Sequence, residues 1–156
     1  MAAGLFITFE GIDGSGKSTQ SEMLTTSLRD MGHNVVKTRE PGGSAGAEMI
    51  RSLLVSGDIN RWSPETEILL FTAARRDHLE KTIQPALDAG QIVISDRYAD
   101  STRVYQGVAR ADLRGTVDQL HNIMIGKEPD LTFIIDADPE QSLSRGLARD
   151  SGEDRF

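Results

Sequence analysis

A glycine-rich turn between an apolar run and a polar helix start constrains this chain more than any other feature. The run from Gly11 to Ser18 reads Gly-Ile-Asp-Gly-Ser-Gly-Lys-Ser and follows the apolar stretch Leu5 to Phe9. Its glycines can adopt φ > 0 and let backbone N–H groups approach an anion, while the following helix N-terminus adds its dipole. This arrangement of strand, loop and helix is typical of a phosphate-binding loop, or P-loop.

Two side chains of the P-loop are predicted to act directly on a nucleotide. Lys17 would place its ammonium group against the β- and γ-phosphates, and the Ser18 hydroxyl is the expected ligand of magnesium (Mg²⁺). The chain is therefore predicted to handle a nucleoside polyphosphate.

Composition excludes several classes of protein. The chain has 156 residues, of which 38% are hydrophobic and 26% are charged, as is usual for a single domain with a real core. It has no cysteine, which excludes disulfides, cysteine-based zinc sites and a thiol nucleophile. The net charge of −7 argues against binding to a nucleic-acid backbone.

The sequence also gives an expectation about location. The longest apolar runs are far shorter than the ~20 residues of a membrane span, and no charged segment followed by an apolar one opens the chain. We therefore expect a cytoplasmic protein with no membrane partner.

Strand patterns and helix patterns alternate along the chain. The predicted strands are Leu5 to Phe9, Val35 to Thr38, Ile92 to Ser95 and Leu131 to Asp136. The predicted helices are Ser18 to Met31, Ala45 to Leu54, Thr66 to Leu79, Asp112 to Ile125, and one that Asp138 caps with Pro139 at its first position. Such alternation predicts an α/β fold with a parallel sheet covered by helices on both faces.

Two details of the helices can be tested against the structure. The first helix is predicted to bury Met23, Leu24, Leu28 and Met31 on one face and to stop at Gly32. Pro85 is expected to interrupt the helical pattern before the third strand.

Charged side chains follow the second and third predicted strands. Arg39 comes directly after the second strand, and Asp96 and Arg97 come after the third. Open α/β sheets bind ligands at the carboxyl ends of their strands, so these groups should lie near the P-loop. Asp96 is expected to help hold Mg²⁺ through water. A phosphoryl transferase that acts between two nucleotides needs this arrangement.

Four separated motifs resemble those of the thymidylate kinase (dTMP kinase) family, bacterial type. They are Glu10 to Gln20, Arg39 to Gly43, Phe71-Thr72-Ala73-Ala74-Arg75, and Asp96-Arg97-Tyr98 with Ser101-Thr102 and Tyr105-Gln106-Gly107. The resemblance implies a P-loop NTPase-type fold and a phosphotransferase that converts ATP and dTMP into ADP and dTDP with Mg²⁺, in dTTP synthesis. It also implies a homodimer.

The resemblance assigns roles residue by residue. The positions implied for the ATP phosphates are Gly11, Ile12, Asp13, Gly14, Ser15, Gly16, Lys17, Ser18 and Thr19, with Ser18 and Asp96 near the metal. The positions implied for dTMP are Arg39 and Arg97 at its phosphate, Phe71 stacked on thymine, Arg75 at an exocyclic oxygen, Ser101, Thr102 and Gln106 near the base or sugar, and Tyr105 against the 2′ position. The implied catalytic set is Lys17, Arg97, Asp13 and an arginine of the lid.

The lid arginine has three candidates. Some family members carry a basic residue inside the P-loop, whereas others have glycine there and supply an arginine from a lid. This chain has Gly14 at that position, so residues 139–156 are expected to be a helix leading into the lid. The candidates are Arg145, Arg149 and Arg155, with Arg149 preferred.

The resemblance also bears on chain length. Family members run to roughly 200 residues, with a fifth strand and further C-terminal helices after the lid. We therefore expect the single P-loop kinase domain of residues 1–156 to be C-terminally incomplete, with an unpaired sheet edge and uncovered apolar surface that disfavour a monomer.

Several alternatives remain open from sequence. Phe71 could belong to the helix core, Arg76 is expected at the surface, and Arg97 could simply pair with Asp96. The chain could be another nucleoside monophosphate kinase, such as an adenylate or guanylate kinase. It could also be a P-loop switch, although its Asp112-Leu113-Arg114-Gly115 run opens a predicted helix and no Asn-Lys-x-Asp motif is present.

Overall fold

The sheet has four parallel strands. The computed structural model describes residues 3–108 and 112–148, and the structural statements below concern these residues. The strands are β1 (Leu5–Glu10), β2 (Val35–Arg39), β3 (Ile92–Asp96) and β4 (Leu131–Ile134), arranged in the order β2-β3-β1-β4. The predicted parallel α/β architecture is thus confirmed, although the fourth strand ends two residues earlier than predicted.

Seven α-helices lie in the described part of the chain. They are α1 (Lys17–Asp30), α2 (Ala45–Val55), α3 (Pro64–His78), α4 (Gln84–Asp88), α5 (Ala99–Tyr105), α6 (Arg114–Met124) and α7 (Pro139–Leu147). A π-helical turn, Leu79–Ile83, joins α3 to α4. Within residues 3–108 and 112–148, none of these helices has the length and apolar character needed to cross a membrane.

The chain divides into two compact units. The first unit contains the sheet with α1, α4 and α7 and comprises described residues of Met1–Glu40, Ile83–Tyr98 and Pro129–Asp150. The second unit contains α2, α3, α5 and α6 and comprises described residues of Pro41–Thr82 and Ala99–Glu128. The prediction of one domain over residues 1–156 stays a prediction.

The core of the first unit lies between α1 and the sheet. Its buried centre consists of Ile7, Phe9, Val35 and Ile94, against which Leu24, Leu28, Ile92 and Ile135 pack. The ring of Phe6 meets that of Tyr98 edge to face, with ring centroids 4.9 Å apart. These contacts fix β1 and β3, the strands that lead into the P-loop and into Arg97.

The prediction for the buried face of α1 was wrong in part. Met23 and Met31 are 59% and 71% exposed, whereas Ser21 and Thr25 are fully buried. The two hydroxyls can be buried because each donates within the helix, Ser21 to the Ser18 carbonyl at 3.0 Å and Thr25 to the Ser21 carbonyl at 2.7 Å.

The structure confirms two of the predicted helix boundaries and corrects the prediction for Pro85. Gly32 follows α1 with φ +89°, as a C-terminal stop requires, and the Asp138 side chain caps α7 by accepting from the Glu140 and Gln141 amides. Pro85 does not end the helical path. It lies in the first turn of α4, directly after the π-helical turn Leu79–Ile83. The short helix α5 was not predicted.

Strand β4 lies at the edge of the sheet and is largely exposed. Leu131, Phe133 and Ile134 have 46%, 39% and 75% of their surface accessible. The expected unpaired edge and uncovered apolar surface are therefore found within the described residues.

Candidate active site

The loop after β1 has the backbone that a P-loop needs. Gly11, Gly14 and Gly16 have φ values of +145°, +76° and +102°. Gly16 immediately precedes α1, which begins at Lys17. The predicted sequence of strand, glycine-rich turn and helix is thus present, and the amides at the start of α1 lie at the end of this turn.

Two of these glycines also permit close backbone contacts. A Cβ atom on Gly11 would lie 2.6 Å from the carbonyl oxygen of Ile135, just after β4. A Cβ atom on Gly14 would collide with the carbonyl oxygen of Ser142 and lie 3.1 Å from the Gly146 amide nitrogen, both in α7. The P-loop is therefore held directly against the chain that follows β4.

Lys17 is buried beside charged groups. Its side chain is 6% exposed, and its Nζ atom donates to the Ile12 carbonyl at 2.8 Å and lies 4.0 Å from Asp13 Oδ1. Burial, followed by repulsion from Arg97, lowers the pKa of Lys17. Three carboxylates offset part of that shift: Asp96, Asp13 and Glu10.

Arg97 is held in a strained backbone conformation next to the P-loop. Its φ of +69° is rare for a residue with a side chain. Its amide donates to the Phe9 carbonyl at 2.9 Å, and its carbonyl accepts from the Ser95 hydroxyl at 2.8 Å. The Arg97 guanidinium donates to Asp13 Oδ1 at 2.6 Å, which joins the end of β3 to the P-loop.

Ser18 and Asp96 form an oxygen-rich pair at the start of α1. The Ser18 hydroxyl donates to Asp96 Oδ2. The described residues contain no group of three or more histidine, cysteine or acidic side chains able to enclose a metal ion. A hydroxyl and one carboxylate suit Mg²⁺, which keeps several waters and shares its coordination sphere with substrate phosphates.

Arg39 ends β2 beside Asp96. The two residues are partners in the register of β2 and β3, and the next amide, of Glu40, donates to the Asp96 carbonyl at 3.0 Å. Arg39 is exposed. The carboxyl ends of β2, β3 and β1 thus bring together Arg39, Asp96 with Arg97, and the P-loop, as the sequence predicts.

Glu10 lies at this site, although the sequence predicted no role for it. It is 6% exposed, and its Oε1 accepts from the Tyr98 amide at 2.8 Å. This bond fixes the turn that carries Arg97. The sequence signal was an acid at the end of an apolar strand, where a buried carboxylate needs a partner.

The second unit brings together two of the residues expected to bind the base. Arg75 in α3 donates to the Thr102 hydroxyl in α5 at 3.0 Å, and both side chains are buried. Gln106 is 2% exposed. Phe71 lies one helical turn before Arg75 and is half-buried, as are Ser101 and Tyr105 of α5.

Arg76 lies at the surface, as expected. It donates to Glu80 Oε1 at 2.7 Å and to the Met124 carbonyl at 2.8 Å, with half of its side chain accessible. Among the lid candidates, Arg145 is an exposed residue of α7. Arg149 and Arg155 lie outside the described residues.

Comparison with known proteins gives a consistent result. The family model for thymidylate kinase matches residues 9–156. A thymidylate kinase of Dinoroseobacter shibae is 71% identical over 153 residues, which cover 98% of this chain and 74% of that protein. The thymidylate kinase of Ruegeria pomeroyi is 68% identical over 153 residues, covering 98% and 72%. The chain thus spans about three quarters of the length of these relatives.

A solved structure has the same fold. The crystal structure of thymidylate kinase from Ehrlichia chaffeensis is similar to this chain with a TM-score of 0.82 and 44% sequence identity, covering 94% of this chain and 83% of that one.

Proposed function

Since this chain belongs to the thymidylate kinase family, whose enzymes transfer a phosphoryl group from ATP to dTMP, we propose how its residues carry out that reaction. The observation that carries the proposal is the cluster of Lys17, Arg97 and Asp13 at the carboxyl ends of β1 and β3, beside the glycine loop. The family assignment leaves no support for the other monophosphate kinases or for a P-loop switch.

The P-loop holds the triphosphate of ATP. Its amides and the start of α1 bind the phosphate oxygens, and Lys17 exchanges its Ile12 carbonyl partner for the β- and γ-phosphates. Ser18, together with Asp96 acting through water, would hold Mg²⁺. When bound, that ion neutralises charge on the phosphate oxygens. The remaining cofactor-binding positions are Gly11, Ile12, Asp13, Gly14, Ser15, Gly16 and Thr19.

Arg39 and Arg97 bind the phosphate of dTMP. Arg97 offers a planar fork of donors, and the bond to Asp13 fixes the orientation of that fork. The attacking phosphate oxygen is already anionic, so the reaction needs no general base. The protein contributes positioning and charge neutralisation.

Side chains of α3, of α5 and of the residue after α5 are assigned to the thymine nucleoside. We assign stacking on the ring to Phe71 and a hydrogen bond to an exocyclic oxygen to Arg75, whose guanidinium Thr102 orients. Ser101 and Gln106 contact the base or the sugar. Tyr105 crowds the 2′ position and so favours deoxyribose.

An arginine of α7 or of the residues that follow it supplies the charge that Gly14 does not. Arg149 is the preferred residue, with Arg145 and Arg155 as the other candidates. Arg149→Ala is expected to lower kcat by on the order of 10² to 10³, because the contact forms mainly in the transition state. Arg145→Ala serves as the comparison, and a larger loss there would move the role to Arg145.

The proposed active form is a cytoplasmic homodimer. Exposed apolar side chains occur on neighbouring helices of the second unit: Met49 and Leu53 in α2, Leu69 in α3 and Ile123 in α6. Such a set is typical of a subunit interface. Sedimentation equilibrium of the full gene product and of Leu69→Asp tests the dimer, and cell fractionation tests the location.

A coupled assay of ADP release tests the function. The full gene product is assayed with dTMP, dUMP, AMP and GMP, with and without Mg²⁺, and turnover is expected with dTMP and Mg²⁺. Lys17→Ala should lose about two to four decades of rate, or about 3 to 5 kcal/mol of transition-state stabilisation. A Lys17→Ala protein that keeps more than about a tenth of normal turnover would contradict the assignment.

A further inference from the structure

Arg103 in α5 joins three carboxylates. It donates to Asp100 Oδ1 at 2.8 Å, to Asp118 Oδ1 at 3.0 Å and to Glu128 Oε1 at 2.7 Å. Its side chain is 15% exposed. Asp118 belongs to α6 and Glu128 to the segment that follows α6, so this one guanidinium links α5 to the next element of the second unit.

Helix α5 needs such a link because it is short. It has seven residues, Ala99–Tyr105, and a helix of that length is not stable without tertiary contacts. On one side Thr102 is bound by Arg75 of α3. At the other end the Leu113 amide donates to the Gly107 carbonyl at 2.9 Å, and a Cβ atom on Gly107 would lie 3.3 Å from Arg114 Cα.

Arg103 keeps its positive charge in this position. Partial burial lowers its pKa, but the hydrogen bonds to Glu128, Asp100 and Asp118 outweigh that effect and raise the pKa above its ordinary value. Without the guanidinium, three carboxylates would face one another with less neutralisation. Lysine would keep the charge, but it could not present the same fork of donors to three acceptors.

We propose that Arg103 is a positioning residue for the nucleoside of the acceptor, which it serves by holding α5 against α6. Two buried residues assigned to the base or sugar lie close to Arg103 in the sequence: Thr102 of α5 precedes it directly, and Gln106, the first residue after α5, follows it by three positions. This inference rests on the proposed function, because α5 matters to catalysis only if those residues contact dTMP. In this proposal Arg103 acts through α5 and makes no substrate contact of its own.

The experiment compares three variants of the full gene product. Arg103→Ala removes the link, and Arg103→Lys keeps the charge without the fork. The matched control is Arg114→Ala, which removes another bond to Asp118, at 2.8 Å, from a residue of α6 that is half exposed. The measurements are KM for dTMP, KM for ATP, kcat, and hydrogen exchange of the Gln106 and Gly107 amides, both of which donate to the Thr102 carbonyl at 3.0 Å.

We expect KM for dTMP to rise by about tenfold or more in Arg103→Ala while KM for ATP stays within about twofold, because small displacements of binding groups are costly only for the ligand they hold. Arg103→Lys should show an intermediate rise in KM for dTMP. If Arg103→Ala does not fold, the test is made with Arg103→Lys. The Gln106 and Gly107 amides should exchange faster in both Arg103 variants. Arg114→Ala should resemble the wild type in each measurement.

Three results would overturn the inference alone. They are equal changes in the two KM values, an unchanged KM for dTMP in a folded Arg103 variant, and an Arg114→Ala effect as large as that of Arg103→Ala. A wild-type protein that does not phosphorylate dTMP would overturn the proposed function, and this inference with it.

Discussion

The carbonyl oxygen of Ser142 lies so close to Gly14 that the first side-chain atom of any other residue at position 14 would collide with it. The P-loop and α7 therefore meet backbone to backbone. A basic side chain at position 14 is therefore incompatible with α7 in this place.

Gly14→Ala should lower the free energy of unfolding by about 2 kcal/mol or more. The φ of +76° alone costs a residue with a side chain about 1 to 2 kcal/mol, and displacement of α7 adds to that cost. Urea denaturation measures the change. Gly146→Ala is the matched control, because a Cβ atom there meets nothing within 4 Å. It should stabilise the helix by about 0.5 to 1 kcal/mol. Equal stability of Gly14→Ala and the wild type would contradict the contact.

Asp13→Asn should weaken the use of dTMP more than it weakens the fold. The carboxylate orients Arg97 through the 2.6 Å bond, and the amide keeps only a neutral acceptor. We expect kcat/KM for dTMP to fall by about 10- to 100-fold. The melting temperature should change little, since Asp13 is 60% exposed. The control is Asp30→Asn. Asp30 is the exposed acid at the end of α1, so this variant removes the same charge from a different position. A large loss of stability with normal kinetics would make Asp13 a structural residue only.

Phe71→Ala should raise KM for dTMP and leave KM for ATP nearly unchanged, because only the acceptor base loses its stacking partner. Steady-state kinetics with each substrate varied in turn measures both values. Thr72→Ala is the control, since the Thr72 hydroxyl donates to the Ile68 carbonyl at 2.7 Å within the same helix. Equal effects on both substrates would place Phe71 in the core.

Tyr105→Ala should relax the discrimination against the ribonucleotide. The half-buried ring is assigned to the 2′ position of the sugar, where an added hydroxyl would be crowded. The ratio of kcat/KM for the deoxyribonucleotide to that for the ribonucleotide should fall. An unchanged ratio would remove Tyr105 from the sugar site.

Lys17→Met should raise the melting temperature at pH 7 while abolishing turnover. The pKa of Lys17 is lowered by burial, so the protonated lysine costs the folded state stability that the unfolded state does not lose. As pH rises through the lowered folded-state pKa toward 10.5, the native lysine can release its proton, and the wild type should approach the variant in stability. Thermal unfolding at several pH values measures the gap, and a gap that widens with pH would contradict this account.

The sequence was informative where a local signal decides the structure. The cap at Asp138, the stop at Gly32 and the glycines of the P-loop each act over a few residues, and the structure has all three. The apolar strands also predicted the parallel sheet, because both faces of such a strand are buried.

Features that depend on distant contacts were missed. Met23 and Met31 are exposed while α1 buries Ser21 and Thr25, and hydroxyls that bond within their own helix give no hydrophobic pattern. Helix α5 owes its place to partners in α3 and α6, so its seven residues carry little signal of their own.

The left-handed backbone of Arg97 has a consequence for the mutational tolerance of that position. Glycine and asparagine tolerate a φ of +69° but carry no charge, and lysine carries the charge without the planar fork. Position 97 thus has two independent requirements, a left-handed backbone and a positive charge. Arginine meets the second with strain in the first, and each single replacement satisfies only one of them. A loss of activity at position 97 can be traced to charge or to backbone only when lysine, asparagine and glycine are compared side by side.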